Sequence, residues 1–494
     1  MKFVSTRGVS VAQSAAHAIV KGLADDGGLF VPERFPSLKE SLNDMLNMPY
    51  PKIASLVIHS FLEEYDYDEM LNECEKAYSL FDDGEPAPVV KLDDGLFVTE
   101  LFHGPTLAFK DVALTFLSYL LRRGSDITGM KDKIMILVAT SGDTGKAALE
   151  GFKDKEGISI MVFYPSEGVS DMQKLQMQTQ EGKNVKVYGV KGNFDDCQNT
   201  VKEIFNSKSV CQSLKECNTV LSSANSMSFG RLVPQISYYF SSYCDLVNSG
   251  DIKMGDLVDF VVPTGNFGDI LAGYYAKQMG LPVGRLVCAS NCNNVLTEFF
   301  QSGTYDKNRE FFKTNSPSMD ILISSNLERL LFELSNRDAK LTAERMASLK
   351  ATGKYSLTDL ELKQAEKDFF GGYADEEECL ETITNVFDDF GYVSDPHTAV
   401  ALKVCFDYKE FSKTSNPTVV LSTASPYKFT QSVLKAVSGK TVKDPFVCAQ
   451  KLLEETALPI PNQILSLKEK ERRFTETISK EQAVDVVLQF AKEN

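Results

Sequence analysis

Short, nearly continuous apolar runs recur through the middle of the chain, with helical segments between them. The runs Ile134–Ala139, Ile158–Tyr164, Val185–Val190, Leu257–Val262 and Thr418–Leu421 show little polar alternation. A strand that is apolar on both sides must be covered on both faces, as in parallel sheets flanked by helices. Between the runs, Thr144–Phe152, Asp171–Glu181, Asp195–Asn206, Arg231–Leu246 and Asp269–Met279 read as helices. The alternation predicts a parallel α/β fold with right-handed crossovers. In such sheets ligands sit where loops leave the carboxyl ends of strands.

At 494 residues the chain is too long for one core, and about three domains or lobes are expected. Residues 1–95 read as a mostly helical N-terminal domain, with turns at Asp25–Gly28 and Asp82–Gly84. Residues 96–440 hold the strand-helix alternation, with a smaller α/β lobe at about 130–210, and residues 441–494 read as a helical C-terminal extension. The acidic run Asp375–Glu378, within a helical stretch at 340–395, is expected to be a solvated helix face.

Charge narrows the partners. The net charge of −16 repels phosphate backbones and anionic lipid, so nucleic acid and membrane surfaces are not expected as partners. A few focused donors can still hold a small anion. No apolar run reaches bilayer length, and Arg7, Gln13 and His17 interrupt what would be a secretory leader. Ten cysteines without a CxxC pair, and four histidines without ligand spacing, predict reduced thiols, no metal site and a cytoplasmic setting.

Four segments could carry chemistry. Gly265-Asn-Phe-Gly268 follows a strand and opens a helix, where free N–H groups and the helix dipole favour an anion; a tight turn without ligand reads equally well. Thr140-Ser-Gly-Asp-Thr-Gly145 gathers three hydroxyls at a helix start, more than one N-cap requires. Lys110 interrupts an apolar stretch in Glu100–Asp111. It is either a snorkelling lysine or a desolvated nucleophile. Ser222–Arg231 brings amides, hydroxyls and one arginine to a strand end, the donors of a phosphate clamp or of a capped helix with a surface arginine.

Together these segments resemble threonine synthase, of the longer fungal and bacterial subgroup. The matching motifs run in one order: Gly22–Phe30, Glu100–Asp111, Ala139–Gly145, Ala224–Arg231, Gly265–Asp269, Ser316–Asn326, Asp395-Pro-His-Thr-Ala399 and Ser422–Phe429. The resemblance implies a tryptophan-synthase-like, fold type II enzyme that uses pyridoxal 5'-phosphate, built as two open, parallel-rich α/β lobes plus a helical N-terminal domain.

The resemblance also implies roles. Lys110 would be the lysine that bonds the cofactor. Gly265, Asn266, Phe267, Gly268 and Asp269 would surround its phosphate, and Thr423 would lie beside its pyridine nitrogen. Thr140, Ser141, Asp143 and Thr144 would hold the substrate carboxylate and the cofactor ring oxygen. Asn225, Ser226 and Arg231 would grip the phosphate of O-phospho-L-homoserine, which with water would give L-threonine and phosphate. An ionised Asp143 cannot donate to a ring oxygen as the asparagine of shorter relatives can. Ser425 stands where relatives often carry histidine. A phospho-lyase that releases 2-oxobutanoate, or a non-catalytic cofactor-binding relative, would share the motifs. A monomer or homodimer is expected.

Overall fold

The computed structural model describes residues 1–8, 13–140, 142–166 and 169–493. Two sheets organise the chain. The larger takes six strands in the order Phe369–Tyr373, Val283–Ser290, Val258–Pro263, Thr418–Ser422, Leu96–Glu100, Val89–Asp93. All neighbours are parallel except the last pair, an antiparallel hairpin. That hairpin spans residue 95, so the larger sheet begins upstream of the expected boundary.

The smaller sheet is wholly parallel, in the order Thr477–Ile478, Val185–Val190, Ile158–Pro165, Lys133–Ala139, Thr219–Ser222. Its outer strands come from beyond residue 210, one of them from the C-terminal region. The central strand Ile158–Pro165 is buried along its whole length, as a doubly covered parallel strand must be.

Before residue 80 the chain is mostly helical, with Tyr50–Phe61 and Tyr67–Tyr78 its longest helices. A three-stranded antiparallel sheet of Lys2–Ser5, Gln13–Ser14 and Phe30–Pro32 accompanies them. The acidic run is the first turn of helix Glu376–Phe390, closed by a capping box between Asp375 and Glu378. It is not wholly solvated. The Glu376 carboxylate accepts from the backbone N–H and side-chain amide of Asn315, at 2.9 and 2.5 Å. No helix among the described residues is long and apolar enough to cross a membrane.

Candidate active site

Lys110 and Asp143 are each the first residue of a helix, Lys110–Thr128 and Asp143–Phe152. The two helices pack closely: a Cβ on Gly151 would lie 2.2 Å from the carbonyl oxygen of Leu114. Only glycine permits that approach. At the two helix starts, Lys110 Nζ lies 3.4 Å from Asp143 Oδ2. The Lys110 side chain is 11% exposed, and burial pushes its ammonium below the ordinary lysine value. Arg231 and Lys428 push the same way, while Asp143 opposes them. The snorkelling alternative does not describe this lysine.

Asp143 is a buried hub. Its Oδ1 accepts from Gln173 Nε2 at 2.8 Å and pairs with Lys428 Nζ at 2.8 Å. Its Oδ2 accepts from Ser318 Oγ at 3.1 Å. The Lys428 and Lys110 cations hold the carboxyl well below the usual range, against its burial. Lys428 is itself buried and donates to the Thr106 carbonyl at 2.8 Å.

The Lys110 segment is tied to the end of strand Thr418–Ser422. Phe109 N–H donates to the Thr423 carbonyl at 2.9 Å, and Ser425 N–H to that of Leu107 at 3.1 Å. Thr423 is thus beside the lysine and 5% exposed. Ser425 accepts from Tyr427 N–H and caps the short turn that carries Lys428. Two residues in these loops, Leu107 and Phe267, hold positive φ without being glycine, at 61° and 63°. Such strain concentrates at ligand sites.

Gly265–Asp269 follows strand Val258–Pro263 and opens helix Gly268–Gln278. The Ser316–Asn326 loop lies against it. Asn326 donates to the Asn266 carbonyl from its backbone N–H at 3.0 Å and its amide at 2.9 Å. Ser324 Oγ donates to the Gly265 carbonyl at 2.7 Å. A Cβ on Gly265 would lie 2.6 Å from the Ser318 carbonyl oxygen. Asp269 accepts from Tyr238 and Tyr239 on Oδ1, while its buried Oδ2 finds no partner among the described residues. Burial raises this carboxyl to about 7.

Arg231 belongs to helix Phe229–Asn248, whose preceding loop carries Asn225 and Ser226. The guanidinium is buried, and its NH1 donates to the Ala224 carbonyl at 2.9 Å. Its Nε has no partner among the described residues, and desolvation lowers it to about 10. A buried cation that finds one carbonyl among the described residues is costly unless an anion joins it. Ser226 Oγ sits 3.3 Å from Ser325 Oγ, which joins this loop to the loop over Gly265. Asn225 and Ser226 are both half-buried.

The Thr140 hydroxyl accepts from the N–H groups of Gly142 and Gly145, at 3.0 and 2.9 Å, so it shapes its own loop. Thr144 is half-buried in that loop. Ser141 lies outside the described residues.

Sequence reasoning gave no role to four contributors: Gln173, Ser318, His397 and Lys428. His397 Nδ1–H donates to Asp395 at 2.5 Å, leaving Nε2 to accept from Ser318 N–H at 3.1 Å. This fixes one tautomer and pins Ser318. Lys428 carried the signal that flagged Lys110, a lone lysine between apolar Tyr427 and Phe429.

The residues fit pyridoxal phosphate in three respects. A buried amine with a lowered proton affinity is present, a glycine-bearing helix N-terminus stands near it, and orphaned polar atoms line the region at Arg231 and Asp269. A profile for pyridoxal-phosphate dependent enzymes matches residues 81–424. Profiles for the threonine synthase N terminus and C-terminal region match 2–78 and 398–487. A threonine synthase from Pseudomonas aeruginosa is 38% identical over 95% of this chain and 97% of its own. The chain belongs to the threonine synthase family. Among solved structures, a threonine synthase from Brucella melitensis described as PLP bound shares 36% identity. Its TM-score is 0.89, over 100% of this chain and 99% of that one. The "threonine synthase-like 1" of Macaca fascicularis is 40% identical over 90% of this chain. This family member is longer, and the chain spans about three fifths of it, 61%.

Proposed function

We propose that the chain converts O-phospho-L-homoserine and water to L-threonine and phosphate, with pyridoxal phosphate as cofactor. The observation that carries the reading is Arg231: a buried guanidinium without a carboxylate partner among the described residues, on the same cluster as the buried amine of Lys110. A substrate with a phosphate at its far end supplies the missing anion. A dehydratase of unphosphorylated amino acids has no use for it.

Bound pyridoxal phosphate supplies the electron withdrawal that acidifies the α and β carbons of an amino acid joined to it. The chain's own residues do the rest. Lys110, whose amine is kept unprotonated more readily than a surface lysine, would bond the cofactor and would move protons at the α and β carbons. The glycine loop at 265–268 would hold the cofactor phosphate at its helix N-terminus. Thr423 would stand beside the ring nitrogen. Thr140, Ser141 and Thr144 take the substrate carboxylate, and Asp143 orients Lys110 through its contact with Nζ instead of donating to the cofactor. Asn225, Ser226 and Arg231 bind the substrate phosphate and stabilise it as it leaves the γ carbon.

The test is to incubate the protein and pyridoxal phosphate with O-phospho-L-homoserine, then quantify phosphate, threonine and 2-oxobutanoate together. Equal phosphate and threonine is the expected result. Phosphate with 2-oxobutanoate would make the protein a phospho-lyase, and no phosphate would leave a cofactor-binding protein.

A further inference from the structure

Asp143 is shared by two lysines. Lys110 approaches Oδ2 and Lys428 approaches Oδ1, at 3.4 and 2.8 Å. The closer partner is the one with no contact assigned to cofactor or substrate. Lys428 is 1% exposed and carries a fixed second bond to the Thr106 carbonyl. Thr106 in turn gives its N–H and hydroxyl to Asp111, at 2.7 and 2.6 Å, and Asp111 directly follows Lys110.

A buried carboxylate facing Lys110 alone would bind it as an ammonium and oppose its use as a base. A second cation on the carboxylate neutralises that pull. We propose that Lys428 is a positioning residue for the reaction: it clamps and neutralises Asp143, so that Asp143 orients Lys110 without holding it protonated. This rests on Lys110 bonding the cofactor, as the proposed function has it.

The other groups facing Lys110 are accounted for. Arg231, from helix Phe229–Asn248, adds a second positive charge, and Asp269, from helix Gly268–Gln278, a weaker negative influence. Ser318 Oγ, 3.5 Å from Nζ, is neutral. Burial of the amine acts in the same direction as Lys428. Removing the Lys428 charge therefore raises the pH at which Lys110 gives up its proton, and removing the Asp143 charge lowers it.

The experiment follows pyridoxal phosphate bonding to Lys110, by its absorption, as pH is raised, in wild type and in Lys428→Met, Lys428→Arg, Asp143→Asn and the double variant K428M/D143N. The expected midpoint for Lys428→Met is alkaline of wild type by about one pH unit or more. Lys428→Arg keeps the charge and stays near wild type. The double variant returns towards wild type, because a neutral pair replaces an ion pair. A wild-type midpoint in Lys428→Met, or an equal shift in Lys428→Arg, overturns the inference.

Should Lys428→Met fail to fold, the comparison of K428M/D143N with Asp143→Asn reads the same charge without an abandoned carboxylate. An alkaline step between those two supports the inference and no step overturns it. Threonine assays on wild type keep the two readings apart. An enzyme that makes threonine with no shift in these variants retains its function and loses only this role for Lys428.

Discussion

Arg231 and Asp269 are buried groups of opposite sign, each with an atom left unpaired among the described residues. Arg231→Gln should leave the fold intact, since the neutral amide can still donate to the Ala224 carbonyl. It should cost about 1.5–3 kcal/mol of substrate binding, roughly tenfold to a hundredfold in kcat/KM for O-phospho-L-homoserine. Steady-state kinetics check it, with cofactor affinity as the control that should not move. Asp269 gives a pH signature. Its carboxyl rises from 3.8 to about 7 on folding through burial. The stability tied to its protonated form is complete below pH 3.8 and is lost as pH rises through about 7, amounting to about 4 kcal/mol at most. Asp269→Asn cannot ionise, so apoprotein melting curves should match wild type near pH 4 and favour the variant at pH 8.

At the scale of elements, the start of the Lys110 helix is set by how closely it meets the Asp143 helix. Gly151→Ala puts a methyl 2.2 Å from the Leu114 carbonyl oxygen. Neither backbone can yield, so the helices must part, at about 1–3 kcal/mol of overpacking. The expected outcome is a lower Tm together with a lower kcat, because Lys110 and Asp143 separate with their helices. A fall in Tm with kcat unchanged would uncouple the packing from the site.

The strands that announced themselves in the sequence are those apolar on both faces, such as Ile158–Pro165. Among those that did not are Val283–Ser290, broken by Gly284 and Arg285, and Phe369–Tyr373, an edge strand with two glycines inside a stretch that reads as helical. The glycine and hydroxyl loops were legible because their composition is unusual. Ser318 and His397 were not. Their roles depend on a contact across 79 residues, from His397 to the Ser318 backbone, and no local pattern encodes it.

At the scale of the whole molecule, the C-terminal chain leaves the larger lobe and binds back onto the smaller one. Arg473 and Phe474 N–H groups donate to the Gln178 carbonyl, and Thr477–Ile478 extends the smaller sheet beside Val185–Val190. Helix Ala483–Glu493 buries Val487 and Phe490 in a cluster with Met135, Leu137, Val210 and Leu214. Ending the chain after Lys470 should remove about 3–6 kcal/mol of apolar burial from those two side chains. It would also expose a parallel edge. The expected result is loss of soluble protein, or a Tm well below wild type, with the larger lobe's helices still visible by circular dichroism.

That same strand has a consequence for biosynthesis. The edge at Val185–Val190 emerges from the ribosome roughly 290 residues before its partner does, an interval of roughly 15–60 s at ~5–20 residues per second. Through that time the nascent chain offers an unpaired β edge to any neighbour on the same message, and open edges invite such pairing. Protection by cellular holdases during translation is the demand this architecture makes, and it ends when Thr477–Ile478 pairs with the open edge.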